Sequence, residues 1–103
     1  MKPANEKHTT PYPTARKIKR ACSNELYRTI KRLGTWIPAD KREEAEQIYF
    51  KKVAMHLPWI VEHQSNRKVL ADWWDENVSA EIANLWEVDR TALCAAFRQA
   101  FGG

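Results

Sequence analysis

The side chains that could perform covalent or metal chemistry are few and widely separated in this sequence. The two cysteines, Cys22 and Cys94, form no C-x-x-C pair, and the three histidines stand at positions 8, 56 and 63. His56 and His63 are two helical turns apart, but Pro58 lies between them and interrupts a continuous helix. The chain has no H-E-x-x-H pair and no glycine-rich phosphate loop. We therefore expect no enzymatic activity, no cofactor and no metal site.

Positive charge is concentrated in the first third of the chain. Residues 1–33 contain nine Lys or Arg and two Glu, which gives this segment a net charge of +7. Residues 34–103 contain eight Lys or Arg and eleven acidic residues, which gives a net charge of −3. A basic face usually binds nucleic acid, because neutralised phosphates release counterions, although a solvated helix face can have the same composition. Six cations that follow Thr14 at helical spacing are predicted to contact DNA phosphates: Arg16, Lys17, Arg20, Arg28, Lys31 and Arg32.

The C-terminal stretch 81–102, EIANLWEVDRTALCAAFRQAFG, has the spacing of two helices joined by a tight turn. The stretch resembles a helix-turn-helix, a superfamily in which a small residue, here Ala83, lies where the second helix crosses the first. The same resemblance makes Val88 the apolar plug of the core and Leu93 an apolar residue of the recognition helix. Asp89 stands where it could cap the second helix.

The helix-turn-helix resemblance extends to the end of the stretch, which is similar to the AraC-type version, in which Leu93, Phe97, Arg98 and Gly102 match recurring residues. The resemblance covers 22 of the 103 residues. The resemblance places Glu87 at the turn position where the family usually has Gly. This chain contains one such motif, whereas AraC-type domains contain two. The resemblance implies a DNA-binding protein that regulates transcription, with its second helix in the major groove.

The residues that the resemblance assigns to base edges are Arg90, Thr91 and Arg98. One helix-turn-helix reads few base pairs, so a homodimer is expected. The stretch itself has a net charge of −1, and the first helix would have to supply much of the phosphate contact. A plain helical hairpin that closes a bundle has the same pattern, and the sequence leaves that alternative open.

The hydrophobic pattern predicts an all-α domain of about five helices over residues 14–103, preceded by a flexible arm over residues 1–13. No stretch alternates with the period of a strand. Residues of capping or terminating type mark the predicted helix ends: Thr14, Gly34, Asp40 with Glu43, Pro58, Ser65 with Asn66, Asn77 or Ser79, Asp89, and Gly102.

Five tryptophans are many for a chain of this length: Trp36, Trp59, Trp73, Trp74 and Trp86. Two adjacent tryptophans on one helix cannot both face the same core. We therefore expect Trp73 or Trp74 at a surface or interface, unless both edges of the helix are buried in a compact bundle. The alternative function is a non-enzymatic protein-interaction module, or an accessory subunit that docks on a larger complex through this tryptophan-rich back half.

Nothing in the sequence predicts a membrane or secretory protein. No apolar run approaches spanning length, and residues 1–10 are polar and lack the apolar core of a signal peptide. A cytoplasmic location with both thiols reduced is the expectation.

Overall fold

The computed structural model describes residues 12–103, and these residues form six α-helices and no strand. The helices are α1 (Ala15–Leu33), α2 (Ala39–Met55), α3 (Leu57–Glu62), α4 (Arg67–Asn77), α5 (Ser79–Trp86) and α6 (Arg90–Phe101). The predicted all-α fold is confirmed. Most of the predicted N-terminal arm, residues 1–11, lies outside the described residues.

The longest helix, α1, has the ends that the sequence predicts. The Thr14 hydroxyl accepts a hydrogen bond from the Lys17 amide at 3.2 Å and caps the first turn. Gly34 adopts a left-handed conformation (φ 73°) and donates its amide to the Ile30 carbonyl at 2.9 Å. The inward stripe of α1 buries four side chains against the bundle: Ile18, Cys22, Leu26 and Thr29.

The second helix begins one residue before the predicted cap, so the assignment of Asp40 with Glu43 as a capping pair is wrong. The N-cap is Pro38, whose carbonyl accepts the first bond, from the Arg42 amide at 3.0 Å. The proline ring fixes φ at −62° and holds the chain extended up to the helix start. Asp40 therefore lies within the first turn and makes no side-chain capping bond.

Two later helices are capped by the predicted residues. The Asn66 carboxamide oxygen accepts from the Val69 amide at 3.1 Å, and the Asp89 carboxylate accepts from the Ala92 amide at 2.9 Å. Pro58 sits in the first turn of α3, after α2 has ended.

The cap predicted for α5 is wrong, because Val78 occupies that position and makes no side-chain bond. The two polar candidates for the cap instead donate hydrogen bonds to backbone carbonyls four residues earlier. Asn77 donates its carboxamide to the Trp73 carbonyl, and the Ser79 hydroxyl donates to the Asp75 carbonyl. Such backward bonds compete with capping in Ser and Asn.

An aromatic stack forms the centre of the core. The Trp74 and Phe97 rings lie parallel at 3.9 Å between centroids, and Tyr49 meets both edge-on at 6.2 Å. Helix α1 packs against α6 and α2, and α6 also contacts α4 and α5. Helix α6 therefore links α1 to the C-terminal helices α4 and α5, and the contact of α2 with α5 adds a second link.

The expectation that Trp73 or Trp74 lies at a surface is wrong. Their exposed fractions are 9% and 0%, because opposite edges of α4 are both covered. Trp74 packs on the aromatic stack, while the Trp73 indole donates to His56 Nδ1 at 2.9 Å at the junction of α2 and α3. The alternative prediction, that both edges of this helix are buried in a compact bundle, is confirmed.

Within residues 12–103, no helix has both the length and the apolar character needed to cross a membrane.

Candidate nucleic-acid interface

The solvent side of α1 carries a cationic face in two groups about two turns apart, defined here as the exposed residues Arg16, Lys17, Arg20, Arg28, Lys31 and Arg32. The only acidic residue in α1, Glu25, lies one turn before Arg28, and its half-buried carboxylate accepts a hydrogen bond from the Tyr49 hydroxyl. None of these six cations forms an ion pair with a carboxylate of residues 12–103. The six predicted phosphate contacts therefore share one accessible side of the helix and extend over about 24 Å of its length.

Helix stability does not account for this charge pattern. Arg16 and Arg20, like Arg28 and Arg32, stand four residues apart, where like charges repel. Arg16 and Lys17 also lie in the first turn, where the helix dipole disfavours cations. Only Lys31 and Arg32, in the last turn, complement the dipole. Repulsion between the cations therefore destabilises the unbound helix, and a bound polyanion would neutralise that repulsion.

The α5–α6 segment has the local geometry that its sequence predicts. Ala83 and Leu93 are buried and Val88 is half-buried. Glu87 takes a left-handed conformation (φ 55°), the only positive φ at a non-glycine residue in the described chain. The Val88 amide donates to the Ala83 carbonyl at 3.0 Å across the turn. A non-glycine residue in this conformation costs about 1 kcal/mol, which the packing of the two helices must offset.

The two arginines predicted to approach base edges are engaged within the protein. The Arg98 guanidinium pairs with Asp72 and, at 2.6 Å, with Asp75. Arg90 donates to the Ser79 hydroxyl at 2.9 Å and to the Asp75 carbonyl at 2.8 Å. Thr91 alone among the three predicted base contacts is exposed without a side-chain partner in the described chain.

The ion pairs on Arg98 shift the pKa values of both partners. The hydrogen bonds that Arg98 donates to Asp72 and Asp75 raise the pKa of Arg98, and the bond to Asp72 lowers the pKa of that carboxyl. Both shifts favour the charged forms, so the Arg98 guanidinium is already paired within the protein before any ligand arrives. Sequence reasoning missed the pairing because residues 72 and 98 are joined only by the packing of α4 on α6, which no local pattern reports.

The cysteines and histidines form no reactive or metal-binding centre in the described part of the chain. Cys22 is buried, Cys94 is half-buried, and both are free thiols. Burial raises the pKa of each thiol and so disfavours the reactive thiolate. Residues 12–103 contain no group of three or more His, Cys, Asp or Glu arranged to hold a metal ion.

Comparison of the chain with protein-family models, with curated proteins and with solved structures gave no match. No relative therefore supplies a function by similarity. The cationic face of α1 and the engaged edge of α6 are the features from which a function can be argued.

Proposed function

We propose that this chain is a small DNA-binding protein that holds duplex DNA through the cationic face of α1. The observation that carries the proposal is the exposure of six cations on one helix side with no carboxylate paired to them among residues 12–103. At about 3.4 Å per base pair, a helix face of about 24 Å matches roughly seven base pairs of duplex.

A regulatory role in transcription is the biological context that the helix-turn-helix resemblance suggests for this binding. In that role α6 would read bases through its exposed positions, Thr91 and Gln99, rather than through Arg98. Use of Arg98 would require it to exchange two carboxylate partners for DNA. Recognition of a specific site would also need two copies of the chain, because one reading helix spans few base pairs.

The experiment is fluorescence anisotropy of a labelled mixed-sequence duplex, titrated with the protein between about 50 and 200 mM salt. The variant Arg20→Gln/Arg28→Gln removes two cations from the centre of the face. Each lost phosphate contact should flatten the slope of log affinity against log salt by about 0.9, so the double variant should lose about 1.8. Its affinity near 50 mM salt should fall at least tenfold.

The matched control is Lys52→Gln/Lys68→Gln, which removes the same charge from two residues paired with Glu81 and Asp72. This control should keep the salt slope of the unmodified chain. Equal slopes for all three proteins, or no binding at low salt, would overturn the proposal.

The second candidate function is docking on a protein partner. Most of the tryptophan-rich back half is buried, since Trp73, Trp74 and Trp86 belong to the core. The observation that still favours this candidate is the exposure of Met55 and, beyond the next turn, of Trp59. This candidate would be favoured if the protein did not bind DNA at low salt. It would also require binding to a protein partner that the Met55→Glu variant loses.

A further inference from the structure

An open apolar cavity of about 360 Å³ lies between α1, α2, α3, α4 and α6. Its deep wall consists of buried apolar or aromatic side chains: Ile18, Cys22, Val53, Trp73 and Phe97, with Tyr49 beside them. Its mouth is bordered by exposed residues, among them Pro13, Lys17 and Arg67. Cavities that hold small organic ligands have volumes of about 300–1,000 Å³ and this mostly apolar character.

One polar group in the cavity wall has capacity for a ligand. Glu25 lines the cavity, and its Oε1 accepts from the Tyr49 hydroxyl. Its other oxygen, Oε2, receives no hydrogen bond from the described residues. Burial raises the pKa of Glu25, which reflects the poor solvation of this carboxyl group. The Oε2 atom keeps some contact with solvent, and a donor on a ligand would take the place of water there.

The charges around the cavity favour a neutral ligand. Lys17 and Arg67 at the mouth oppose the entry of a cation. Glu25 on the wall opposes an anion that reaches the apolar interior. A neutral molecule meets neither penalty, and a hydroxyl group supplies the donor that a carboxylate requires.

We propose that this cavity is a binding site for a small, neutral, mainly aromatic molecule that carries one hydroxyl donor directed at Glu25. The apolar body would pack against Phe97, Trp73 and Val53. Lys17 belongs both to the cationic face and to the cavity mouth, but the proposed ligand contacts lie in the cavity wall, so the two proposals are tested separately.

The test compares two probes on the full chain by isothermal titration calorimetry. 2-Naphthol carries the hydroxyl donor, whereas 2-methoxynaphthalene has the same ring system and lacks it. We expect saturable one-to-one binding of 2-naphthol and at least tenfold weaker binding of 2-methoxynaphthalene, which corresponds to one hydrogen bond of about 1.4 kcal/mol.

Two matched variants locate the site. Ile60 is half-buried in the cavity wall, and Ile60→Trp should weaken 2-naphthol binding at least tenfold by filling the space. Ile48 is a half-buried isoleucine that does not line the cavity, and Ile48→Trp should leave the affinity unchanged. On the unmodified chain, nuclear Overhauser effects should join naphthol protons to Val53 and Phe97, which tests the site even if a variant fails to fold.

Three outcomes would overturn the proposal. The first is no binding of 2-naphthol up to its solubility limit. The second is equal affinity for the two probes, because Glu25 would then play no part. The third is a set of Overhauser contacts to an exposed apolar residue such as Met55 instead of the cavity wall.

Discussion

Arginine side chains have two different surroundings in this protein. Some are held by carboxylates and stabilise the fold, whereas others are exposed and are candidates for binding a ligand. Arg98 is held by Asp72 and Asp75, and it ties α6 to α4. Arg20 and Arg28 stand on α1 with no paired carboxylate in the described chain. The sequence alone assigned DNA contact to all three. Residue type predicts that an arginine can bind phosphate, whereas only the folded arrangement determines which arginine is already satisfied.

A prediction at the residue scale concerns the pH dependence of stability at Glu25. Burial raises the pKa of this carboxyl above its ordinary value of 4.5, so the folded state holds the proton more tightly than the unfolded state. The free energy of unfolding therefore loses a contribution as pH rises from 4.5 through the raised pKa. Glu25→Gln lacks this titration. Urea denaturation of both proteins across this range should show the unmodified chain gaining stability, relative to Glu25→Gln, as pH falls.

The comparison with Glu25→Gln cancels the titration of every other carboxylate that the two proteins share. Asp72 has the opposite sign, because the Arg98 hydrogen bond lowers its pKa and its contribution is lost on acidification. A stability difference between the two proteins that stays constant with pH would contradict the prediction for Glu25.

At the scale of helices, the sequence predicted the existence of the elements better than their first residues. Thr14, Asn66 and Asp89 cap helices as expected, because each precedes its helix in extended conformation. The cap at Asp40 fails because the backbone of Pro38 starts α2 earlier. A side chain of the right type is therefore necessary for a cap, but the backbone before it decides which residue occupies that position.

These two aspartates give a matched prediction. Asp89→Ala removes a capping bond to the Ala92 amide and should lower the free energy of unfolding by about 1 kcal/mol. Asp40→Ala removes only a first-turn charge and should cost about 0.3 kcal/mol. Urea denaturation at neutral pH measures both. Equal losses for the two variants would mean that the capping bond contributes no stability of its own.

At the scale of the whole molecule, the fold class and the cationic face of α1 could be predicted from the sequence, whereas the contacts between distant helices could not. Helical periodicity and capping residues were sufficient for the all-α class and for the exposed side of α1. The burial of both Trp73 and Trp74, the pairing of Arg98 and the cavity beside Glu25 all depend on contacts between helices distant in sequence. A local pattern contains no information about which face of α4 meets α6.

The segregation of charge predicts how salt acts on stability. The cations of α1 repel one another, with no compensating ion pair within residues 12–103, and added salt screens that repulsion. Raising sodium chloride from about 20 to 500 mM should therefore raise the midpoint of thermal unfolding by roughly 2–4 °C. Arg20→Gln/Arg28→Gln should show a smaller rise. A midpoint that falls with salt would mean that the Arg98 ion pairs outweigh the repulsion on α1.

The loop between α1 and α2 gives the molecule an optical property of its own. Trp36 is 82% exposed there, whereas Trp73, Trp74 and Trp86 are buried. Its emission should lie furthest to the red, and it should be the tryptophan most accessible to a dissolved quencher. Iodide will be enriched around the neighbouring cations of α1, so the ratio of iodide to acrylamide quenching should be higher for Trp36 than for free tryptophan. The chain therefore contains an intrinsic fluorophore that senses the local anion concentration, without any attached dye.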